Sequence, residues 1–167
     1  MKAKFFFLLG FLWLSSCSIS YKFNGASIDY TKTKTISIAN FPIRAALVYT
    51  PLENVFTEEL RDIFTKQTKL RFVEQDGDMQ LEGEITGYGV SPQAIKSDGY
   101  ASLTRLTITV HVKYSNKVNE EKDFDKSYSA YSEFDASRLL DDVQDGLIVQ
   151  ISKELVDRIF NDTAADW

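Results

Sequence analysis

The chain has 167 residues, with 19 basic side chains against 24 acidic ones and a formal net charge of −5. That acid excess excludes a nucleic-acid binder, which needs a basic footprint. A single cysteine, Cys17, excludes an internal disulfide, and a single histidine, His111, excludes a metal site built from several histidines.

The N-terminus reads as an export leader. Lys2 and Lys4 precede an apolar run, Phe5 to Leu14, broken only by Gly10. A membrane-spanning helix needs ~20 apolar residues, so this run has the length and flanks of a signal peptide instead. Leu14-Ser15-Ser16-Cys17 resembles the lipobox of bacterial lipoproteins. That resemblance implies cleavage before Cys17, a thioether-linked diacylglycerol on it and an acylated new N-terminus. Residues 1–16 are then the leader, 17–34 a lipidated tether and 35–167 the folded domain. Cleavage removes Lys2 and Lys4 and leaves 151 residues, 17 basic and 24 acidic, with a net charge of −7. That is one domain of ordinary size. No second long apolar segment follows, so lipid does the anchoring, at ~0.8 kcal/mol per buried CH₂. Ser18 to Lys34 would reach about 55 Å at ~3.3 Å per residue. No acidic residue precedes Asp29, which favours the inner leaflet of the outer membrane, facing the periplasm.

The rest of the chain alternates between strand and helix signals. Thr35 to Ala39 is a short strand with Ile36 and Ile38 inward. Thr50-Pro51-Leu52-Glu53 combines a capping residue, a proline suited to the first helical position and a capping-box glutamate. Leu52, Val55, Phe56, Leu60, Ile63 and Phe64 follow at helical spacing. Leu70 to Val73 is a short extended piece and Asp76-Gly77-Asp78 a turn. Met79 to Glu84 alternates again, with Met79, Leu81 and Ile85 on one face, and Gly83, Gly87 and Gly89 point to a bulge or bend. Leu103 to Tyr114 is the clearest strand. Leu106, Ile108, Val110, Val112 and Tyr114 share one face, and Arg105, Thr107, Thr109, His111 and Lys113 the other, as in a sheet covered on one side. After a polar hairpin, Phe124, Tyr128, Ala130 and Phe134 continue the apolar face, and Asp125, Ser127, Ser129 and Tyr131 the open one. Ser137 opens a last helix with Asp141 and Asp142 near its positive end. Its stripe is Leu140, Val143, Leu147, Ile148, Ile151, Leu155 and Ile159, and Gly146 suggests close packing on the sheet. The order β-α-β-β-β-α gives an α+β two-layer sandwich, two helices on one face of a four-stranded, mainly antiparallel sheet.

No catalytic set stands out, and we expect no enzyme, no metal and no cofactor beyond the lipid on Cys17. His111 sits alone on a polar strand face, and Cys17 is occupied by lipid. Neither G-x-S-x-G nor G-x-G-x-x-G occurs. Glu82 and Glu84 are spaced i, i+2 on one strand face, which serves acid–base work or, far more commonly, a solvated sheet. Asp162-Thr163-Ala164 resembles the O-glycosylation signal of Bacteroidetes envelope proteins.

Several ordered features together resemble the LptE lipoproteins of Bacteroidetes. They are the lipobox, Tyr21-Lys22-Phe23-Asn24-Gly25, Ile36-Ser37-Ile38-Ala39-Asn40-Phe41-Pro42 and Gly77 to Ile85 followed by Ser91-Pro92. Arg105 to Val110, Asp123-Phe124 and Trp167 belong with them. The resemblance covers the mature chain. It implies a lipoprotein that partners LptD, the outer-membrane β-barrel that delivers lipopolysaccharide to the cell surface. LptE sits partly inside that barrel as a plug, aids its assembly and contacts lipopolysaccharide. The candidate contacts are Arg105 and Lys113 on the open face with Lys96 in the preceding loop, Thr107, and the aromatics Tyr100, Tyr131 and Trp167. Glu82 and Glu84 are the expected partners of the cations. The rival reading is another periplasm-facing lipoprotein, of the secretion-channel or TolB-like kind.

Overall fold

A computed structural model describes residues 28–93 and 103–165. In chain order these form β1 (Thr35–Ile38), α1 (Pro51–Gln67), β2 (Arg71–Phe72), β3 (Met79–Pro92), β4 (Leu103–Asn116), β5 (Phe124–Asp135) and α2 (Gln144–Thr163). The sheet has the order β2-β1-β3-β4-β5. β1 runs parallel to both β2 and β3, and β3, β4 and β5 form an antiparallel meander. The expected two-layer sandwich is therefore present, with five strands rather than four. The extra one is β2, two exposed residues pairing Thr35 with Arg71 and Ile36 with Phe72. So short a strand carries no alternation to announce it.

Binary pattern explains the layers. Ile36, Leu81, Ile85, Leu106, Ile108, Val110 and Val112 are fully covered on one face of the sheet. Leu52, Phe56, Leu60 and Phe64 from α1 and Ile151, Leu155 and Ile159 from α2 are equally covered. Each such side chain contributes roughly 1.5–3 kcal/mol by leaving water. Phe41 meets Phe56 edge to face with centroids 5.1 Å apart, and Phe64 meets Phe160 in the same way at 5.1 Å.

Two glycines allow close approach. β2 ends level with the start of β3, so the connection crosses directly over β1. A Cβ on Gly77 would lie 2.5 Å from the Ser37 nitrogen and 2.8 Å from the Ile36 carbonyl carbon. A Cβ on Gly83 would lie 2.1 Å from the His111 oxygen and 2.6 Å from the Phe41 ring, so the missing side chain gives Phe41 its seat. The expected bulge is real and falls between Ile85 and Gly87. A Cβ on Gly146, by contrast, would meet nothing within 4 Å, so close packing is not the reason for that glycine.

Two helix starts differ from expectation. Thr50 makes no side-chain cap, because it already has helical angles (φ −52°, ψ −39°), and the chain enters α1 through a turn in which the Leu52 N–H donates to the Tyr49 carbonyl at 3.0 Å. Ser137 does not open α2. Its N–H and hydroxyl both donate to Asp135 Oδ1, at 2.8 and 2.6 Å, which folds it into the preceding turn. A 3₁₀ turn, Leu140–Asp142, follows, and α2 begins at Gln144. The end of the stretch read as tether also lies on the domain. Ile28 and Tyr30 pack against the core, and Thr33 is buried.

This path gives the domain two poles. Ile28, the hairpin between β4 and β5 and the C-terminal end of α2 meet at one, where Ile28, Asn116, Val118 and Thr163 line a small hollow. The starts of both helices and the C-terminal ends of β3 and β5 lie at the other.

Candidate functional site

The face of the sheet away from the helices is built from cross-strand rows fixed by register. Glu82, Lys113 and Asp125 form one row, and Glu84, His111 and Ser127 the next. Gly87, Thr109 and Ser129 follow, then Gly89, Thr107 and Tyr131, then Ser91, Arg105 and Glu133. The alternation of β4 and β5 puts these residues on one face, and the two glycines of β3 leave its middle low and smooth. Thr109 donates to Ser129 Oγ at 3.1 Å across the centre.

The expected pairing of the cations with Glu82 and Glu84 does not hold for Arg105. Its partner is Glu133, the residue opposite on β5, with Nη2–Oε1 at 2.7 Å and Nε–Oε1 at 3.1 Å. The guanidinium also lies 3.8 Å from the Tyr131 ring centroid, a cation–π contact. Lys113 does stand opposite Glu82, and Asp125 flanks it on the other side. Glu84 reaches Arg44 at 3.9 Å. Glu133 went unselected in the sequence because its role depends on the β4–β5 register, although it shares the i, i+2 spacing of Tyr131.

His111 is not a lone surface residue. Its Nε2 lies 2.7 Å from Asp125 Oδ1 and its Nδ1 3.3 Å from Ser127 Oγ. The connectivity is that of a Ser-His-Asp set, but the setting differs from one. The Asp125 side chain is 60% exposed, and Ser127 lies on a strand whose N–H groups lie in the plane of the sheet. A hydrolytic serine needs donors aimed at a developing oxyanion. The arrangement serves as a cross-strand polar contact. Among the described residues no three His, Cys, Asp or Glu gather as metal ligands would.

Family comparison fits this geometry. A family model, LptE, described as lipopolysaccharide-assembly, matches residues 33–163. The chain belongs to the LptE family. Solved structures of similar fold include a minor lipoprotein from Acinetobacter baumannii, 12% identical, with a TM-score of 0.52 over 80% of this chain and 98% of that one. The hypothetical protein CT253 from Chlamydia trachomatis is 10% identical, with a TM-score of 0.53 over 77% of this chain and 96% of that one. The rare lipoprotein B from Shewanella oneidensis is 15% identical, with a TM-score of 0.49 over 77% and 92%. At these identities the likeness to the first two shows the fold alone. No curated protein matches by sequence.

Within this LptE domain, Arg105, Thr107, Lys113 and Tyr131 share the open face. Cys17, Lys96, Tyr100 and Trp167 lie outside the described residues. A groove of ≈ 860 Å³ runs along the edge of β1 that β2 leaves open, where Arg61 Nη2 donates to the Ile38 carbonyl at 3.1 Å and to Asn40 Oδ1 at 3.3 Å. Sequence spacing gave no sign of this role for Arg61. The covered side is fastened by a polar seam. Tyr128 donates to Asp162 Oδ2 at 2.7 Å, and Lys126 Nζ approaches the same oxygen at 2.6 Å. Burial pushes the Asp162 carboxyl up, but the hydrogen bonds from Lys126 and Tyr128 and the Lys126 charge outweigh it and hold it below its ordinary value. Thr163 of the Asp-Thr-Ala motif is 3% exposed, and its hydroxyl donates to the carbonyls of Ile159 and Phe160. It is thus no glycan acceptor in the folded domain.

Proposed function

We propose that this chain is an outer-membrane lipoprotein that partners an LptD-type β-barrel as plug and assembly factor for lipopolysaccharide delivery. A diacylglycerol on Cys17 anchors it, and the domain faces the periplasm. The family match over residues 33–163 carries the reading. The domain works by occupying space and presenting a surface, without chemistry of its own. A barrel lumen is polar, so a plug must be rigid inside and wettable outside. Two helices on one sheet supply rigidity. Thr107, Thr109, Ser127 and Ser129 supply wettable surface, with Tyr131 as an aromatic anchor. Lipopolysaccharide is anionic, and both open-face cations stand beside carboxylates, Arg105 beside Glu133 and Lys113 between Glu82 and Asp125, so contact with it is spread over many polar groups rather than focused on one cation.

The test is site-specific photocrosslinking from Thr107 and Tyr131 in cells that co-express the organism's LptD-type barrel. Adducts with the barrel support the plug. A normally folded and expressed protein with no barrel adduct from either position overturns it. The anchor is tested apart: Cys17→Ala should lose its lipid mass and leave the outer-membrane fraction, and a variant that keeps both defeats the lipoprotein reading.

A further inference from the structure

Positive charge gathers at one edge of the pole where Ile28 enters. Lys32 and Lys34 lead into β1, Lys69 leads into β2 and Arg71 begins it. Parallel pairing makes the two stretches neighbours. Thr35 stands beside Arg71, and the Arg71 N–H donates to the Lys34 carbonyl at 2.9 Å. All four side chains are exposed, and among the described residues none of them forms a salt bridge. The nearby carboxylates are used by other donors. Asp29 accepts from the Thr31 N–H and hydroxyl at 3.0 and 2.6 Å, with Lys32 close by. Asp78 accepts from the Lys34 and Thr35 N–H groups at 2.8 and 2.9 Å, and Asp62 pairs with Lys66. Lys32, Lys34, Lys66, Lys69 and Arg71 thus face Asp29, Asp62 and Asp78, an excess of two positive charges in a chain that is acidic overall. Phe72, 39% exposed, follows Arg71 and sets an apolar ring among them.

What this edge meets follows from charge and tether length. The rest of the molecule opposes an anionic surface. The hairpin on the other side of the same pole carries Glu120, Glu121 and Asp123, Glu74 and Asp76 line the groove beside β1, and the far pole carries Asp141, Asp142 and Asp145. A chain beginning at Cys17 has 11 residues before Ile28, which reach at most ~36 Å, and the one charged residue among them is Lys22. The tether therefore keeps the basic edge at high effective concentration beside the leaflet that holds the lipid. An acidic protein would have to reach the same edge by diffusion. Each Lys or Arg near an anionic leaflet is attracted by it, and a phenylalanine ring enters the headgroup boundary.

We infer that the edge formed by Lys32, Lys34, Lys69, Arg71 and Phe72 rests on the anionic phospholipid headgroups of the leaflet that holds the Cys17 lipid. This rests on the lipoprotein reading and goes beyond it. The acyl chains hold the protein, and the basic edge sets which way the domain lies. The β1–β2 edge is turned to the membrane, and the acidic hairpin and the far pole are turned away.

The experiment places the lipidated full chain in phosphatidylethanolamine–phosphatidylglycerol vesicles containing lipids with a headgroup quencher. A fluorophore sits at Gln67, beside the basic edge, or at Asp142, at the far pole. We expect quenching at Gln67 alone, lost at high salt, in phosphatidylcholine vesicles and in Lys69→Glu/Arg71→Glu. Lys113→Glu/Lys153→Glu makes the same charge change elsewhere and should keep it. The full mature chain with Cys17→Ser, which carries no lipid, should sediment with phosphatidylglycerol vesicles, and Lys69→Glu/Arg71→Glu should weaken that binding by ~tenfold or more at unchanged melting temperature. If that variant melts lower, Lys69→Gln/Arg71→Gln with parental melting should still weaken binding. Equal quenching at both positions, equal quenching in phosphatidylcholine, or equal losses in the two reversal variants overturn the membrane edge. So does tighter binding of the edge to lipopolysaccharide micelles than to phosphatidylglycerol vesicles. A chain without lipid mass on Cys17 defeats the lipoprotein reading instead, and sedimentation of the Cys17→Ser chain still judges the edge by itself.

Discussion

The two faces of β4 share one backbone and behave as two different materials. Leu106, Ile108, Val110 and Val112 are fully covered, while Lys113 is exposed and Arg105, Thr107, Thr109 and His111 are each partly open to water. Stability is stored on the first face and recognition is available on the second, because the side-chain period of a strand sends neighbours to opposite sides. A change on the covered face should therefore read out in melting. A change on the open face should read out in association.

The largest effects test that division directly. Val110→Asp places an unpaired charge in the core and should cost roughly 3–5 kcal/mol, a large part of a typical domain's stability. Ile108→Ala leaves a cavity and should cost about 2–5 kcal/mol. Lys113→Ala, one residue from Val112, should stay within about 0.5 kcal/mol. Denaturant titration of the three variants checks the order. A Val110→Asp domain that melts like its parent would mean that the two faces are reversed.

The same contrast is written into two glycines of β3. Gly83→Ala drives a methyl into the His111 oxygen and the Phe41 ring and should cost about 1–3 kcal/mol. Gly89→Ala meets nothing within 4 Å and should stay within about 0.5 kcal/mol of neutral. Equal losses at both positions would place the origin of glycine's role in backbone freedom rather than in Phe41's seat.

These contrasts also show what the sequence could and could not display. The period-2 pattern of β4 and β5 gave both faces, because each strand is long and solvated on one side only. The helical stripes gave both helices, because each buries one face against the sheet. β2 was missed as a strand because Arg71 and Phe72 are both exposed and there are only two of them. Ser137 looked like a cap because Ser followed by acids is a helix-start signature, but Asp135, two residues earlier, takes its N–H and hydroxyl first. The Arg105–Glu133 pair depends on the register across a hairpin, which composition does not set. The basic edge was hidden for a related reason. Lys32 and Lys34 lie far in sequence from Lys69 and Arg71, and only the pairing of β1 with β2 brings them together.

Acid and alkali should loosen the covered side by separate routes. Hydrogen bonds from the Lys34 and Thr35 backbone and the Thr35 side chain hold Asp78 below its usual range despite some burial, and Asp162 is held low by Lys126 and Tyr128 against its own burial. Their stabilising contribution is complete above the unfolded carboxylate range, near pH ~4, and is lost as pH falls through the lower folded values. Burial raises Tyr114 to about 12, and burial with the bond to Asp162 also raises Tyr128. Their contribution is complete below pH ~10 and is lost as pH rises through the folded values. Melting temperature against pH should fall at both ends. Asp162→Asn should flatten the acid limb and Tyr128→Phe the alkaline one. Unchanged limbs in both variants would remove the seam as their source.

The smallest expected effects are on the open face, and they decide how that face recognises anything. Arg105 already has a carboxylate at 2.7 Å and an aromatic ring at 3.8 Å, so an incoming ligand must compete with groups the protein supplies. Arg105→Glu removes both contacts and sets a carboxylate against Glu133. As the pair is partly solvated, we expect a stability loss of about 0.5–1 kcal/mol. Lys113→Glu inserts a third carboxylate between Glu82 and Asp125, in a more exposed row. If contact with the barrel or with lipopolysaccharide is spread over many polar groups, neither position is a hot spot, and each reversal weakens association by less than ~5-fold, which is about 1 kcal/mol. Titration of the purified domain with lipopolysaccharide and recovery of the barrel complex measure the two partners separately. A loss of about a hundredfold at Lys113 alone, with melting unchanged, would make this face a focused anion site and not a broad wettable one.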